Sequence, residues 1–357
     1  MTQALRSVLL TPNLLGADGV SCLSREIARA LDGPIVVVSL HDVPARTAGL
    51  HSAGGNRFRF IAAVAQVGLR CDRDTTVVCS HLHLAPAARL MAWRGARVTY
   101  VLCGIEAWVP LRLTERAALA SGRLVAISAH TARGFIAANP AFAAVPIEIC
   151  HPGLPSRAME PPPPAEPSAL IVGRMASSEA YKGHEELLRM WPRVVGRHAN
   201  ATLWVVGDGD DRPRLEALAA DLGVGAAVRF TGRVTDEELE RLYRTCRFFV
   251  MPSRHEGFGL VFVEAMRAGK ACIGAPGAAG EIIEHGVTGL IADPSHPDEL
   301  FAAVVRLFDD PALCDAFGRA ASVRFQTEFT DVRFRARFRS HVPVGGPAAA
   351  PLDRPVS

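Results

Sequence analysis

With 357 residues, 49% of them hydrophobic, the chain is long enough for two domains of moderate size and apolar enough to give each a core. Its net charge of +3, from 39 basic residues scattered along the chain and 36 acidic ones, offers no electrostatic footprint for nucleic acid. The 8 cysteines show no C-x-x-C pair and no zinc-type spacing to histidine, and the chain has neither a leader pattern nor an apolar run of about 18 residues, so the expectation is a cytoplasmic protein with reduced core thiols, soluble or peripheral at the inner membrane face.

The first domain reads as strand alternating with helix. Ser7 to Leu10 is a strand, and the loop Pro12 to Gly19 leads into a helix from Cys22 to Leu31, which Ser21 can cap and in which Leu23, Ile27 and Leu31 share a face. Gly16 and Gly19 give this loop a G-x-x-G spacing, which serves a plain turn as well as close approach to a ligand. Apolar strands follow at Ile35 to Leu40, Thr76 to Cys79, Val98 to Leu102 and Leu124 to Ile127, an alternation that means a parallel sheet. His81 and His83 stand just beyond one strand end, where side chains enter the crevice of such a sheet, and Cys103-Gly104-Ile105-Glu106-Ala107-Trp108 ends the next strand. After Cys150 the composition changes: Pro152, Pro155, Pro161 to Pro164 and Pro167 cannot build helix or central strand. Residues 1–153 therefore read as the first domain and 154–167 as a Pro-rich linker.

The second domain, 168–325, repeats the alternation. Ala169 to Val172 is a strand, Arg174 lies in the loop beyond it, and Lys182-Gly183-His184 precedes a helix from Glu185 to Trp191. After the strand Leu203 to Val206, Asp208 and Asp210 form a D-x-D. Two cations nearby already supply positive charge, so these carboxylates read as loop and N-cap residues of a helix Arg214 to Leu222, with no metal expected. Arg212 takes the place of the third glycine of a G-x-G-x-x-G run, which excludes a nicotinamide fingerprint. Val228 to Gly232 is a strand with Arg233 and Val234 beyond it, and Thr235 to Glu238 makes a capping box for the helix Asp236 to Cys246. Ala271 to Gly274 is another strand. Ser295 can cap a helix ending near Phe308, and Pro311 begins one running to about Phe325. In residues 326–340, a terminal helix, Phe334 and Phe338 are interleaved with Arg333, Arg335, Arg337 and Arg339, which read as a solvated face or as a peripheral contact with anionic lipid. Residues 341–357 read as a disordered tail.

One stretch concentrates the chemistry. The strand Phe248 to Met251 stops at Pro252-Ser253, Gly257 and Gly259 turn the backbone sharply, and a helix runs from Leu260 to Ala268 with Gly269 as its stop. Free N–H groups at such a helix start attract an anion. Glu256 and Glu264 bracket the site, about 12 Å apart if the segment were ideal helix, roughly the span from a ribose across a diphosphate to a sugar. Two glycines and two glutamates alone would also fit a plain turn with solvated carboxylates. The wording Glu256-Gly257-Phe258-Gly259-Leu260, with Glu264-Ala265-Met266 in the E-x7-E register and Gly269-Lys270 after it, closely resembles the signature of family 4 retaining glycosyltransferases. Weaker resemblance extends from about Leu9 to about Phe338.

The resemblance implies a GT-B fold, two doubly wound Rossmann-like α/β domains facing an interdomain cleft, with the terminal helix crossing back to the N-terminal domain. It implies transfer of a hexosyl group, with retention and without a metal or other cofactor, from a nucleoside diphosphate sugar such as a UDP- or GDP-hexose to a sugar or lipid-linked sugar hydroxyl, as in polysaccharide biosynthesis. Carried over by position, Arg174 and Lys182 hold the diphosphate together with N–H groups of Gly257, Phe258, Gly259, Leu260 and Val261; Glu256 faces the donor sugar, and Glu264 binds ribose hydroxyls. Arg233 and Val234 flank the nucleobase, while Gly16 and Gly19 face the donor phosphate or the acceptor. The sequence departs from the family at Cys103, where a histidine facing the donor sugar is expected. That leaves open whether His81 or His83 takes its place, and whether the chain is instead a GT-B nucleotide-sugar epimerase or a silent nucleotide-sugar binder.

Overall fold

A computed structural model describes residues 5–16, 18–43, 48–156 and 166–342. They fall into two compact units. The first takes the described residues of Met1–Ala126, Phe135–Cys150 and Arg335–Ser357, and the second those of Ile127–Gly134 and His151–Phe334. Prolines 161 to 164 and the tail from residue 343 lie outside the described residues.

Each unit is built on one parallel sheet. The first sheet contains β1 (Ser7–Thr11), β2 (Ile35–Ser39), β3 (Leu50–Ser52), β4 (Thr76–Cys79), β5 (Arg97–Leu102), β6 (Arg123–Ala126) and β7 (Ile147–Ile149). Their order across the sheet is β3-β2-β1-β4-β5-β6-β7. Val8, Leu9 and Leu10 of β1 and Val77 and Val78 of β4 have no exposed surface, as expected for central strands covered on both faces. The second sheet contains β8 (Ser168–Val172), β9 (Thr202–Val206), β10 (Val228–Gly232), β11 (Phe248–Met251), β12 (Ala271–Gly274) and β13 (Gly289–Ile291), in the order β10-β9-β8-β11-β12-β13. Phe248 of β11 stands opposite Ala169 of β8 on one side and Ala271 of β12 on the other. In both sheets the order reverses direction once, between β1 and β4 in the first and between β8 and β11 in the second. Beyond the carboxyl ends of the two strands at such a reversal, the following loops diverge and leave a crevice where ligands bind.

The local differences from the sequence reading have simple causes. Asp18, not Ser21, caps the first helix, Gly19–Ala30: its carboxylate accepts from the N–H of Val20 and Ser21, and the buried Ser21 hydroxyl donates to the other oxygen at 2.7 Å. The helix His184–Arg197 continues through Pro192, because its buried stripe of Leu187, Leu188, Met190, Trp191 and Val194 outweighs the one N–H that proline removes. Neither Asp208 nor Asp210 caps the helix Arg212–Asp221. Asp211 sits at the cap position with its carboxylate turned to Arg214, and Pro213 opens the first turn. Likewise His296, not Ser295, takes the cap position of the helix Pro297–Asp309. The short edge strands β3 and β7 have three residues each, too few for a periodic signal. In the terminal helix Asp331–His341, Phe334 and Phe338 are buried, Arg335 faces Glu26, and Arg339 donates to the Ala30 carbonyl and pairs with Asp32. These partners account for two of the arginines as structural contacts. No helix among the described residues is long and apolar enough to cross a membrane.

Burial opposes ionisation of Asp18, but hydrogen bonds from the Ser21 hydroxyl and the N–H groups of the first turn outweigh it and hold its carboxyl below the usual aspartate range. Its contribution is therefore present at neutral pH and lost as pH falls through the folded-state value. Asp18→Ala is expected to cost about 1 kcal/mol at pH 7, and urea titrations across a pH series should show the gap between parent and variant narrowing in acid.

Candidate functional site

The reversal point of the second sheet gathers most of the residues singled out by sequence. Arg174 follows β8 after Gly173, and Glu256 to Val261 follow β11. Gly183, in the left-handed conformation at φ +87°, brings the first loop against the second: a Cβ there would sit 2.5 Å from Cγ of Pro252. Lys182, one residue earlier, reaches Glu256 Oε1 at 2.8 Å, and the Ser253 hydroxyl donates to the same oxygen at 3.2 Å. Glu179, which the sequence reading passed over, lies between the two cations. Its Oε1 accepts from Arg174, and its Oε2 is 3.9 Å from Lys182. Lys182, Glu256 and Glu179 keep only 14–17% of their side-chain surface, whereas the Arg174 side chain is 66% exposed. The neighbouring His184 is buried and pushed down to about 4 by that burial and by Lys182, so the positive charge here belongs to Arg174 and Lys182.

Gly259 ends the turn in the left-handed conformation, φ +101°, and the helix Leu260–Arg267 begins without a side-chain cap. Among the described residues, no acceptor is hydrogen-bonded to the backbone N–H of Phe258, Gly259, Leu260 or Val261. The opposite face of the turn is filled. The Gly257 carbonyl accepts from the hydroxyls of Ser128 at 2.5 Å and Thr131 at 2.9 Å, both residues fully buried. Phe258, 3% exposed, stacks on His151, which lies 3.1 Å from Glu281. Glu264 comes one turn into the helix. The buried Tyr243 hydroxyl donates to its Oε2 at 2.8 Å, and burial of the carboxyl raises its pKa although the residue as a whole keeps some exposure. Beyond β10, Arg233 is exposed and Val234 half-buried.

Asp208 and Asp210 are committed to the loop. Asp210 accepts from the N–H and hydroxyl of Ser177, and Asp208 accepts from the Gly209 N–H and lies 3.9 Å from Arg212. Among the described residues, no three His, Cys, Asp or Glu side chains group as metal ligands.

The first unit holds the remaining candidates. A Cβ on Gly16 would meet the Ser21 hydroxyl at 2.6 Å and Asp18 Oδ2 at 2.8 Å, so a side chain there would displace the Asp18–Ser21 cap, which gives this glycine a structural role. Gly19 opens the helix, where the Asp18 carboxylate already occupies the place an anion would take, leaving the uncapped start of Leu260–Arg267 as the better anion site. The Cys103 thiol donates to the Ser80 carbonyl at 3.0 Å, and burial, together with Glu106 and Cys79, holds it protonated. His81 and His83 line a cavity of about 560 Å³ with His41, Arg57, Phe60 and Arg112. His81 Nδ1 accepts from the His83 N–H, and burial pushes the ring down to about 4, so His81 is neutral with Nε2 carrying its proton.

Residues 166–310 match the family model of the group 1 glycosyl transferases. An uncharacterized glycosyltransferase of Methanocaldococcus jannaschii is 40% identical over 146 residues, 41% of this chain and 36% of that protein. The GDP-mannose-dependent alpha-(1-6)-phosphatidylinositol monomannoside mannosyltransferase of Mycobacterium tuberculosis is 32% identical over 215 residues, 54% of each chain. The chain thus spans from about a third to about half the length of these curated relatives. Among solved structures, the Anabaena protein HepE in complex with UDP superposes with a TM-score of 0.77 at 19% identity, covering 94% of this chain and 99% of that one. Sucrose-phosphate synthase from Thermosynechococcus elongatus gives 0.75 at 18% identity, covering 94% and 98%. The chain has the GT-B fold, and the family match is confined to residues 166–310, within the second unit.

Glu264 supplies a test of the site's electrostatics. Its folded-state pKa lies above the unfolded one, so whatever it adds to stability is present in acid and lost as pH rises through the folded value; at neutral pH a desolvated carboxylate is a burden. Glu264→Gln, which can still accept from Tyr243, is expected to raise the melting midpoint at pH 7, with the gain vanishing towards pH 4. Thermal melts of parent and variant across that range check it, and a variant that melts lower at neutral pH would contradict it.

Proposed function

We propose that the chain is a glycosyltransferase that moves a hexosyl group from a nucleoside diphosphate sugar to a sugar or lipid-linked sugar hydroxyl, with retention and without a metal. The observation that carries this reading is the convergence of Arg174, Lys182 and four open N–H groups at one reversal point of the second sheet. The negative charge that develops on a departing diphosphate would meet two cations and a helix start already in place. Glu179 and Glu256 hold those cations in the unliganded protein, and the diphosphate exchanges with them. Glu256 then orients the donor sugar, Glu264 binds the ribose hydroxyls, and Arg233 and Val234 border the nucleobase. Attack from the face that the leaving group departs requires no protein nucleophile. The relatives that bear names support the class: one uses GDP-mannose, and the Anabaena neighbour is known with UDP.

The acceptor binds the first unit, at the cavity lined by His41, His81, His83, Arg57 and Arg112. Its size falls within the range of small-molecule sites, its imidazoles and guanidiniums are hydrogen-bond donors for hydroxyls, and Phe60 offers an apolar face to a sugar ring. One observation favours a second reading. Cys103, its thiol turned to the Ser80 carbonyl, cannot supply the imidazole of the family pattern, and a silent nucleotide-sugar binder would tolerate that loss.

Single-turnover transfer from radiolabelled UDP-, GDP- and ADP-hexoses to a panel of sugar acceptors separates the two. Transfer by the parent is expected to survive EDTA, and Arg174→Ala is expected to slow it by about 10²- to 10³-fold, like loss of one preorganised oxyanion donor. Tight donor binding with no transfer to any acceptor would favour the binder. An Arg174→Ala rate equal to the parent's would remove Arg174 from the mechanism.

A further inference from the structure

The segment Ile127–Gly134 lies just beyond β6 of the first sheet, yet it packs as part of the second unit. It is held there from two sides. Its N–H groups at Ala129 and His130 donate to the two oxygens of Glu281 at 2.8 and 2.6 Å, and its hydroxyls at Ser128 and Thr131 donate to the Gly257 carbonyl. Ser128 Oγ also accepts from the Thr131 N–H at 2.9 Å, which fixes its lone pair and leaves its proton for Gly257. Glu281 is held below the usual glutamate range: burial opposes ionisation, but His151 and the two N–H groups prevail. His151 in turn stacks on Phe258, the residue after Gly257, at 5.4 Å between ring centroids. The Gly257–Phe258 peptide is thus clamped at its oxygen by two buried hydroxyls and at its following side chain by a ring tied to the same carboxylate.

In a trans peptide the C=O and the following N–H point in opposite directions in one plane, and the described residues contain no cis peptide. Fixing the Gly257 oxygen therefore fixes the direction of the Phe258 N–H. That N–H is the first of the four without an acceptor, and it lies two residues after Glu256, the partner of Lys182. A flexible glycine pair would otherwise let this peptide rotate, and the N–H would lose its aim between turnovers.

Resting on the nucleotide-sugar reading above, we propose that Ser128 and Thr131 are positioning residues for the diphosphate: they never touch it, and they aim the Phe258 N–H at it by anchoring the Gly257 carbonyl. The contribution falls on the phosphate and not on the nucleoside, because the hydroxyls bond to the Gly257 carbonyl and make no hydrogen bond to Glu264 or to Arg233 and Val234.

Thr131→Val is the cleaner variant, since it keeps shape and removes one hydroxyl, while Ser128 continues to satisfy the carbonyl and to hold the Thr131 N–H. Calorimetry with UDP, GDP and ADP first identifies which diphosphate the parent binds, and the matching nucleoside is titrated beside it. Thr131→Val is expected to weaken diphosphate binding by about tenfold, the scale of one misdirected hydrogen bond to a charged group, to leave nucleoside binding unchanged, and to be rescued by Thr131→Ser. Ser128→Ala, measured the same way, should act in the same direction. If the parent binds diphosphate and Thr131→Val binds it equally well, the positioning role is overturned while the nucleotide site stands. An equal loss for diphosphate and nucleoside would also overturn it, as a general structural effect. A parent that binds no nucleoside diphosphate overturns the site reading and this proposal with it.

Discussion

The site depends on how one turn satisfies its backbone. β11 is fully buried, and the chain that leaves it at Met251 must place every polar group of the next few residues against a partner or against solvent. The carbonyl of Gly257 is satisfied by Ser128 and Thr131, and the N–H groups from Phe258 to Val261 have no protein acceptor among the described residues. Such an imbalance is a standing electrostatic preference for an anion, reinforced by the dipole of the helix Leu260–Arg267. Two glycines make the geometry accessible, Gly259 within the turn and Gly183 in the loop against it, each at a positive φ where a side chain would collide.

The two cations of the site are poised by being paired. Lys182 keeps little exposed surface, and an uncompensated ammonium there would carry a desolvation cost. Glu256 and Glu179 offset that cost in the unliganded protein, and on the proposed function a bound diphosphate would supply the same compensation. The exposed Arg174 carries little such penalty and is free to leave Glu179. On the proposed function, this division would make the buried lysine a fixed point and the arginine a movable clamp, in keeping with the planar fork that lets arginine grip phosphate oxygens in pairs.

Much of the frame was legible in the sequence because it rests on local signals. The apolar runs at Val8 to Leu10, Thr76 to Cys79 and Phe248 to Met251 announce buried parallel strands, and Glu256-Gly257-Phe258-Gly259 announces the turn. What stayed hidden depends on partners far apart in the chain. Nothing near Gly257 points to hydroxyls at positions 128 and 131, and Tyr243 beneath Glu264 reads as an ordinary residue of an amphipathic helix. Glu179 could have been noticed, since it precedes Lys182 by three residues in the loop between the two proposed phosphate ligands, but spacing alone does not distinguish a counter-ion from a solvated charge. The misplaced caps show the same limit: Asp18 and Ser21 are both good caps and only the fold decides that Asp18 reaches the open N–H groups, while Asp211 takes the cap position with its carboxylate given to Arg214.

In the proposed function the open N–H groups of one turn receive a diphosphate, and amide hydrogen exchange reads those groups directly. With saturating nucleoside diphosphate, exchange at Phe258, Gly259, Leu260 and Val261 is expected to slow well beyond the change elsewhere in the helix Leu260–Arg267, and the nucleoside alone should leave these amides as they were. Binding of the diphosphate with unchanged exchange at all four amides, and protection appearing instead in another loop, would contradict it.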